Sequence, residues 1–393
     1  MPHMDAKEHE DEPTGLSLFD DPDDPDDPDE DGSDGSDGPE GSDGSEQAET
    51  RRRRRSRRLL VWTLAVLLVL LGGGVGGLYW TAEHYASSVE RIPNAFPTVP
   101  ESEQPKPVPH AGQTFLLVGL DARSDVPTTG ATAKAPAWKE GAQRSDTMML
   151  MHISADRKSV AVVSIARDTW VDIPGHGKSK INAAYSWGGP PLMVQTVQNL
   201  TGIRIDHVAV IDWNGFKALT DAVGGVDITI PKTIEARGDA RQWDQGTHHM
   251  DGAEALLYVR ERHGLPNGDL DRTKRQQNFL RALMNQTMNS GTLSNPSRLA
   301  GLLQSVGDVV SVDDRLSNTD LYDLGWSMRD LRADGVRFMN APFGGYGDEG
   351  GQAVVYLDSG AADPLWAAMR NDRMDDYLAQ HATSSDTLGE SVR

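Results

Sequence analysis

The chain of 393 residues contains no cysteine, which excludes disulfide staples, thiolate nucleophiles and cysteine-ligated zinc. A domain outside the reducing cytoplasm would then have to hold itself by its core alone, and the roughly 270 residues of its C-terminal part are ample for that. Other signatures are missing too. No histidine pair has the spacing of a zinc-binding helix, and the adjacent His248 and His249 read as a surface turn. There is no glycine-rich nucleotide loop and no strained nucleophile elbow, so nucleotide-driven and serine-hydrolase chemistry find no support. The first fifty residues are nearly devoid of bases and aromatics, with Lys7 and Phe19 the sole examples.

What those fifty residues do hold is 20 of the 59 acids, in Asp-Pro and Gly-Ser-Asp runs. Such a segment cannot bury enough apolar surface to offset its ordering entropy, and residues 1–50 are expected to be a disordered acidic tail. Residues 51–58 carry seven arginines, and the remaining chain is only moderately acidic, at −9 of the total −21. Residues 59–80 are uncharged throughout. At 1.5 Å per residue such a run makes a helix of about 33 Å, enough to span a bilayer core. Arginines precede this run and the next basic residue is Arg91. Positive charge favours the cytoplasmic side, so the N-terminus is expected in the cytoplasm and residues 81–393 outside, in a single-pass, signal-anchored cell-membrane protein. A nucleic-acid role for the arginines is disfavoured by the adjacent acidic tail, so no nucleic-acid partner is expected.

Six prolines between Pro93 and Pro109 suggest that residues 81–111 form a semi-extended stalk. From Thr114 onward strands and helices interleave. Strand-like runs cover Thr114–Leu120, Met148–Ser154, Val160–Ile165, His207–Trp213, Val226–Ile230 and Ala353–Leu357. Helical periodicity covers Pro190–Leu200, Asn214–Val223, Ala255–Val259, Asp271–Asn289, Pro296–Val310, Asn318–Leu331 and Pro364–Leu378. The expected fold class is α/β, a mixed central sheet with helices on both faces (α-β-α), occupying residues 112–379 as one domain after the transmembrane helix, with a flexible tail at 380–393.

The chemistry gathers at one edge of that sheet. The polar turn Ala155–Lys158 is short enough to make its flanking strands an antiparallel hairpin. The start of the first strand then lies beside the end of the second, bringing Arg144 and Asp146 next to Arg167. If Thr114–Leu120 pairs parallel to Val160–Ile165, Asp121 joins them. Two carboxylates with open positions suit magnesium, which keeps waters and a substrate phosphate in its shell. A second cluster follows. Arg260 and Arg262, two apart, share a side on an extended segment. Arg272, Arg275 and Gln276 have the spacing of one helix face. Guanidiniums in an acidic domain suit bidentate contacts to phosphate. Lys180 and Asn182 add a further polar pair.

These segments, Phe115–Arg123, Arg144–Ile153, Ser164–Thr169, Lys180–Gly189, Leu200–Val226 and Val259–Gln277, occur in the order in which they stand in the LytR-CpsA-Psr envelope proteins, which the chain resembles over roughly residues 112–379. The resemblance implies a phosphotransferase that moves a glycopolymer phosphate from a polyprenyl-pyrophosphate carrier to peptidoglycan. It implies Asp121 and Asp146 as ligands of Mg2+ (or Mn2+). It implies Arg144, Arg167, Arg260, Arg262, Arg272 and Gln276 as pyrophosphate and head-group contacts, with Arg275 beside them on the helix and Lys180 a further candidate. Asp269 is a candidate general base or a partner of an arginine. Met148, Leu150, Val208, Val210 and Phe216 either line a polyprenyl groove or are plain core. The chain departs from the family in having Ala166 where proline is usual, and in a long loop, Ala122–Gln143, that could cover the site. A pyrophosphatase of the same lipids and a non-catalytic sensor of them remain the alternatives.

Overall fold

The computed structural model describes residues 89–109, 112–122, 126–234, 242–261, 269–289, 291–292 and 294–381. The expected acidic tail, arginine segment and apolar run lie outside the described residues, as do residues 81–88 of the stalk and 382–393 of the tail. Among the described residues no helix is long and apolar enough to cross a membrane.

In chain order the elements begin with strands β1 (Arg91–Ile92), β2 (Gln113–Ala122), β3 (Gln143–Ile153) and β4 (Val160–Ile165). A small hairpin, β5 (Trp170–Ile173) and β6 (Gly177–Lys180), leads into helix α1 (Asn182–Thr201). Then come β7 (His207–Asp212), α2 (Trp213–Ala222), β8 (Val226–Ile230), β9 (Gly246–Met250), α3 (Gly252–Arg260) and α4 (Asp269–Asn289). The chain continues through α5 (Pro296–Val309), β10 (Val310–Asp313), α6 (Asn318–Ser327), β11 (Val336–Asn340), the hairpin β12 (Phe343–Glu349) and β13 (Gln352–Leu357), α7 (Ser359–Arg370) and α8 (Met374–His381).

Seven strands form one mixed sheet in the order β1-β10-β7-β2-β3-β4-β11. Side chains alternate across a strand, so each strand feeds two cores. Leu116, Val118, Leu120, Met148, Leu150, Val163, Val208 and Val210 pack under α1 and α7. On the other face Phe115, Met149, Ile153, Val160, Val162 and Phe338 pack against residues of α4, α5 and α6. Every residue of β4 is buried, as a strand covered on both faces requires. This is the expected helix–sheet–helix layering.

Several expectations need correction. β2 does not pair with β4: it lies antiparallel to β3, while β4 takes β11 as its parallel neighbour. β2 and β4 still run the same way, because both oppose β3. Their ends therefore share one sheet edge, as the site requires. β8 leaves the main sheet and pairs with β9 in a separate ribbon, in which His248 and His249 are strand residues rather than a turn. From residue 89 the expected stalk belongs to the domain. β1 adds an edge strand beside β10, and Ala95 and Phe96 are buried in the core. The last expected helix is two helices, α7 and α8, broken where Asp372 takes a positive φ. Helix α1 begins eight residues before the expected Pro190 and kinks at Gly189 (φ 63°, ψ −155°), because Pro190 lacks an N–H and its ring disfavours a helical residue before it.

Candidate active site

A β-bulge sets the geometry. Across the β2–β3 ladder Gly119 faces Thr147 and Leu120 faces Ser145, leaving Asp146 as an extra residue on β3. Bulges re-aim side chains. Here Ser145 turns inward and is fully buried, while Asp146 faces a cleft of about 300 Å3. Asp121, at the end of β2, lines the same cleft with Trp213, Val259, Arg260, Arg272 and Gln276.

Among the described residues, each carboxylate accepts from one donor. Arg167, just past the end of β4, donates from Nη1 to Asp146 Oδ1 at 2.7 Å. Trp213, the first residue of α2, donates from Nε1 to Asp121 Oδ1 at 3.0 Å. The Arg260 guanidinium lies 5.4 Å from the centroid of that same indole, a cation–π arrangement. Trp213 thus fixes a carboxylate and an arginine together. Asp168 carries the polar network outward, with Arg167 Nε at 3.7 Å and Lys180 Nζ at 3.0 Å. The turn at Ala166 needs no proline ring, since both the N–H and the hydroxyl of Thr169 donate to the Ala166 carbonyl, at 3.0 and 2.6 Å.

Helix α4 is bolted to the sheet edge by Gln277. Its buried amide nitrogen sits within 2.7–2.9 Å of Ser164 Oγ, the Met339 carbonyl and Asn340 Oδ1. That clamp sets the helix rotation that turns Arg272 and Gln276 into the cleft. Arg275 departs from the expected shared face. It donates to the Glu261 carbonyl at 3.1 Å and lies 5.6 Å from the Tyr258 ring centroid, and burial pushes its pKa down. The reason is helical: at about 100° per residue, position 275 lies some 100° from position 276, enough to leave the cleft for the α3–α4 interface.

The other expected residues are placed as follows. Arg144 is exposed and opposite Asp121 on the ladder, though it does not line the cleft. Arg260 ends helix α3 rather than standing on an extended segment. Arg262 lies outside the described residues, and Asp269 opens α4, its side chain also outside them. Met148, Leu150, Val208 and Val210 are buried core under α1, while Phe216 packs in a tilted arrangement against Phe279, with ring centroids 4.3 Å apart. The described part of the long loop is not a free cover. Thr128 N and Oγ1 both donate to Asp212, at 2.6 and 2.9 Å, Thr129 Oγ1 donates to the Val309 carbonyl, and Ala137 accepts from the Tyr185 hydroxyl.

The donor set can be tested against magnesium. Among the described residues no group of three or more histidines or acids is arranged for a metal, so a closed protein cage is not on offer. Asp121 and Asp146 each keep one carboxylate oxygen without a hydrogen bond from the described residues. Two free hard oxygens beside an open cleft fit an ion that completes its shell with water and phosphate. Trp213 and Gln277 were not legible as site residues, because their partners lie 92 residues away in the first case and 62 to 113 away in the second.

The fold and the site together define a class. The chain belongs to the LytR_cpsA_psr family, whose model matches residues 85–371. It is 33% identical over 277 residues to the cell wall biosynthesis protein LcpA of Corynebacterium glutamicum, an alignment covering 62% of this chain and 53% of that protein. The chain thus spans about half the length of that relative. It is 30% identical to the polyisoprenyl-teichoic acid–peptidoglycan teichoic acid transferase TagU of Bacillus anthracis, covering 69% of this chain and 84% of TagU. Among solved structures, TagV of B. subtilis superposes with a TM-score of 0.55 at 25% identity, covering 68% of this chain and 99% of TagV.

Proposed function

We propose that the chain is a membrane-anchored phosphotransferase, its catalytic domain outside the cell, which moves a glycopolymer phosphate from a polyprenyl-pyrophosphate carrier to peptidoglycan. The observation that supports this most is the convergence of Asp121, Asp146, Arg260, Arg272 and Gln276, from separate chain segments, on one cleft with Arg167 beside it. TagU, by its name, transfers teichoic acid to peptidoglycan, which agrees with that reading.

In the proposed reaction a hydroxyl oxygen of the acceptor attacks the phosphorus that carries the glycan. The bond from that phosphorus to the bridging oxygen breaks, and polyprenyl phosphate departs with the electron pair. The hydroxyl proton passes to a base, for which Asp269 is the candidate. Arg260, Arg272 and Gln276 bind and orient the pyrophosphate, and Arg167 adds positive charge where the transferring phosphoryl group gains negative charge. Asp121 and Asp146 would hold a magnesium ion, which when bound supplies Lewis-acid neutralisation of phosphate charge. Energy comes from the pyrophosphate bond, so no nucleotide is needed.

The test is incubation of the detergent-solubilised full chain with a polyprenyl-pyrophosphate-linked oligosaccharide, magnesium and peptidoglycan. Phosphodiester-linked glycan on the peptidoglycan supports the proposal. Free phosphorylated glycan in the presence of acceptor indicates a pyrophosphatase instead, and tight lipid binding without turnover a sensor.

A further inference from the structure

Among the described residues, five large apolar side chains are notably exposed: Val108, Val126, Trp187, Leu257 and Tyr346. Trp187, on α1, is 38% exposed and stacked on the exposed ring of His176 with centroids 4.9 Å apart and planes 30° from parallel. An indole left in water forgoes the stabilisation that burial would bring. His176 sits at the tip of the β5–β6 hairpin, between Gly175 and Gly177, whose φ values of 78° and 74° favour glycine and make the tight turn that presents the ring. The product is a flat, rigid aromatic plate at the surface.

That plate is connected to the cleft. From His176 the chain runs along β6, where Lys178 and Lys180 fall two apart on one face. Lys180 meets Asp168 at 3.0 Å, Asp168 meets Arg167, and Arg167 meets Asp146 at 2.7 Å. Helix α1 starts from the same point, with Asn182 N donating to the Arg167 carbonyl, and five residues of helix put Trp187 about 7.5 Å further along its axis. α1 packs on the sheet face opposite α4. The aromatic plate is thus tied through α1 and β6 to the Asp146–Arg167 edge, while the cleft takes its arginine and glutamine from α3 and α4. In-line displacement brings the nucleophile in opposite the leaving oxygen, so an acceptor site separate from the pyrophosphate contacts is compatible with it.

We propose that Trp187 and His176 form an acceptor subsite, stacking on a sugar ring of an N-acetylhexosamine strand whose carboxylates pair with Lys178. The inference rests on the phosphotransferase reading above and adds to it the side from which the acceptor enters. The C–H face of a pyranose is apolar and flat, and matches the plate, while its hydroxyl groups stay hydrated at the rim.

The experiment uses the full chain in detergent, labelled with 5-fluorotryptophan, with the Trp187 fluorine resonance assigned through Trp187→Phe. Soluble N-acetylglucosaminyl-N-acetylmuramyl peptide is expected to shift that resonance saturably, while the polyprenyl-pyrophosphate donor and lipid vesicles leave it in place. Trp187→Ala and His176→Ala are each expected to raise KM for the acceptor by roughly fivefold, with kcat and donor KM unchanged. A resonance unmoved by the glycan, or moved as much by vesicles, overturns the subsite, as does an unchanged acceptor KM. A glycan-induced shift in a chain that transfers nothing keeps the subsite and rejects the phosphotransferase. Transfer that is indifferent to both variants does the reverse.

Discussion

The indole nitrogen of Trp213 donates to Asp121 Oδ1 at 3.0 Å, joining the end of one strand to the first residue of the helix that follows the neighbouring strand. The same ring faces Arg260. One side chain thereby orients a carboxylate suited to a cation and a guanidinium suited to a phosphate. Trp213→Phe keeps an aromatic ring but deletes the N–H, together with part of the surface that packs against Phe216. Partners that orient metal ligands typically contribute 10- to 100-fold in affinity, so this variant is predicted to weaken magnesium activation by about tenfold, on top of a modest loss of stability from the smaller ring. Magnesium titration of initial transfer rates measures it.

Arg167 and Asp146 are held together at 2.7 Å with both side chains largely sheltered. Arg167→Ala is predicted to lower kcat by about 10²- to 10³-fold, the range seen when one charge-stabilising donor is removed. Arg167→Lys should recover only part of this, since a point charge replaces a planar fork. Steady-state kinetics on the two variants, with circular dichroism to confirm folding, gives the comparison.

Arg272 and Arg275 are neighbours on α4 with different work. Arg272→Gln is predicted to raise donor KM strongly, with some loss of stability because the side chain is buried. Arg275→Gln should leave donor KM unchanged and cost stability alone, because it removes the contact with Tyr258 and the bond to the Glu261 carbonyl. A loss of about 1–3 kcal/mol in urea unfolding is expected for Arg275→Gln. Equal effects of the two on donor KM would contradict the assignment.

Gln277→Leu deletes a buried amide and strands its acceptors at Ser164, Met339 and Asn340. The predicted cost is about 2–4 kcal/mol, with transfer activity reduced as well because Arg272 and Gln276 lose their register. Denaturant unfolding and activity at a temperature where the variant stays folded separate the two effects.

Ser317 and Asp320 form a reciprocal capping box at the start of α6. Hydrogen bonds from the Ser317 hydroxyl and N–H hold the Asp320 carboxyl below the usual carboxylate range. A carboxyl depressed on folding adds stability above its unfolded value, about 3.9, and loses it as pH falls through the folded value. Ser317→Ala is predicted to cost about 1 kcal/mol near pH 7. The deficit should shrink below about pH 4, as a pH series of thermal melts would show.

The hairpin of β3 and β4 could be read from the chain, because two continuous apolar runs around a four-residue turn allow little else. That alone placed Asp146 and Arg167 at one edge. The neighbour of β2 could not be read, since β2 is apolar on both faces and fits beside either strand. Asp121 still reached the edge, because direction rather than pairing decides where a strand ends. Arg275 shows a different limit: three polar residues in one helical turn look alike until the Gln277 clamp fixes the rotation. Trp213 shows a third, since its hydrogen bond crosses from one chain segment to another and leaves no local pattern. The edge strand β11 was missed because Val336–Asn340 is short and sits among charged residues.

Group transfer at the Asp121–Asp146–Arg167 edge is the property on which the proposed function depends. The most direct measurement is mass spectrometry of the products formed by the full chain from a polyprenyl-pyrophosphate-linked oligosaccharide, magnesium and peptidoglycan. The predicted result is glycan joined to peptidoglycan through a phosphodiester, with one polyprenyl monophosphate released per glycan transferred, and the rate of forming both products strongly reduced by Asp146→Asn and Arg167→Ala. Undiminished transfer by either variant, or lipid binding with no polyprenyl monophosphate released, would contradict it.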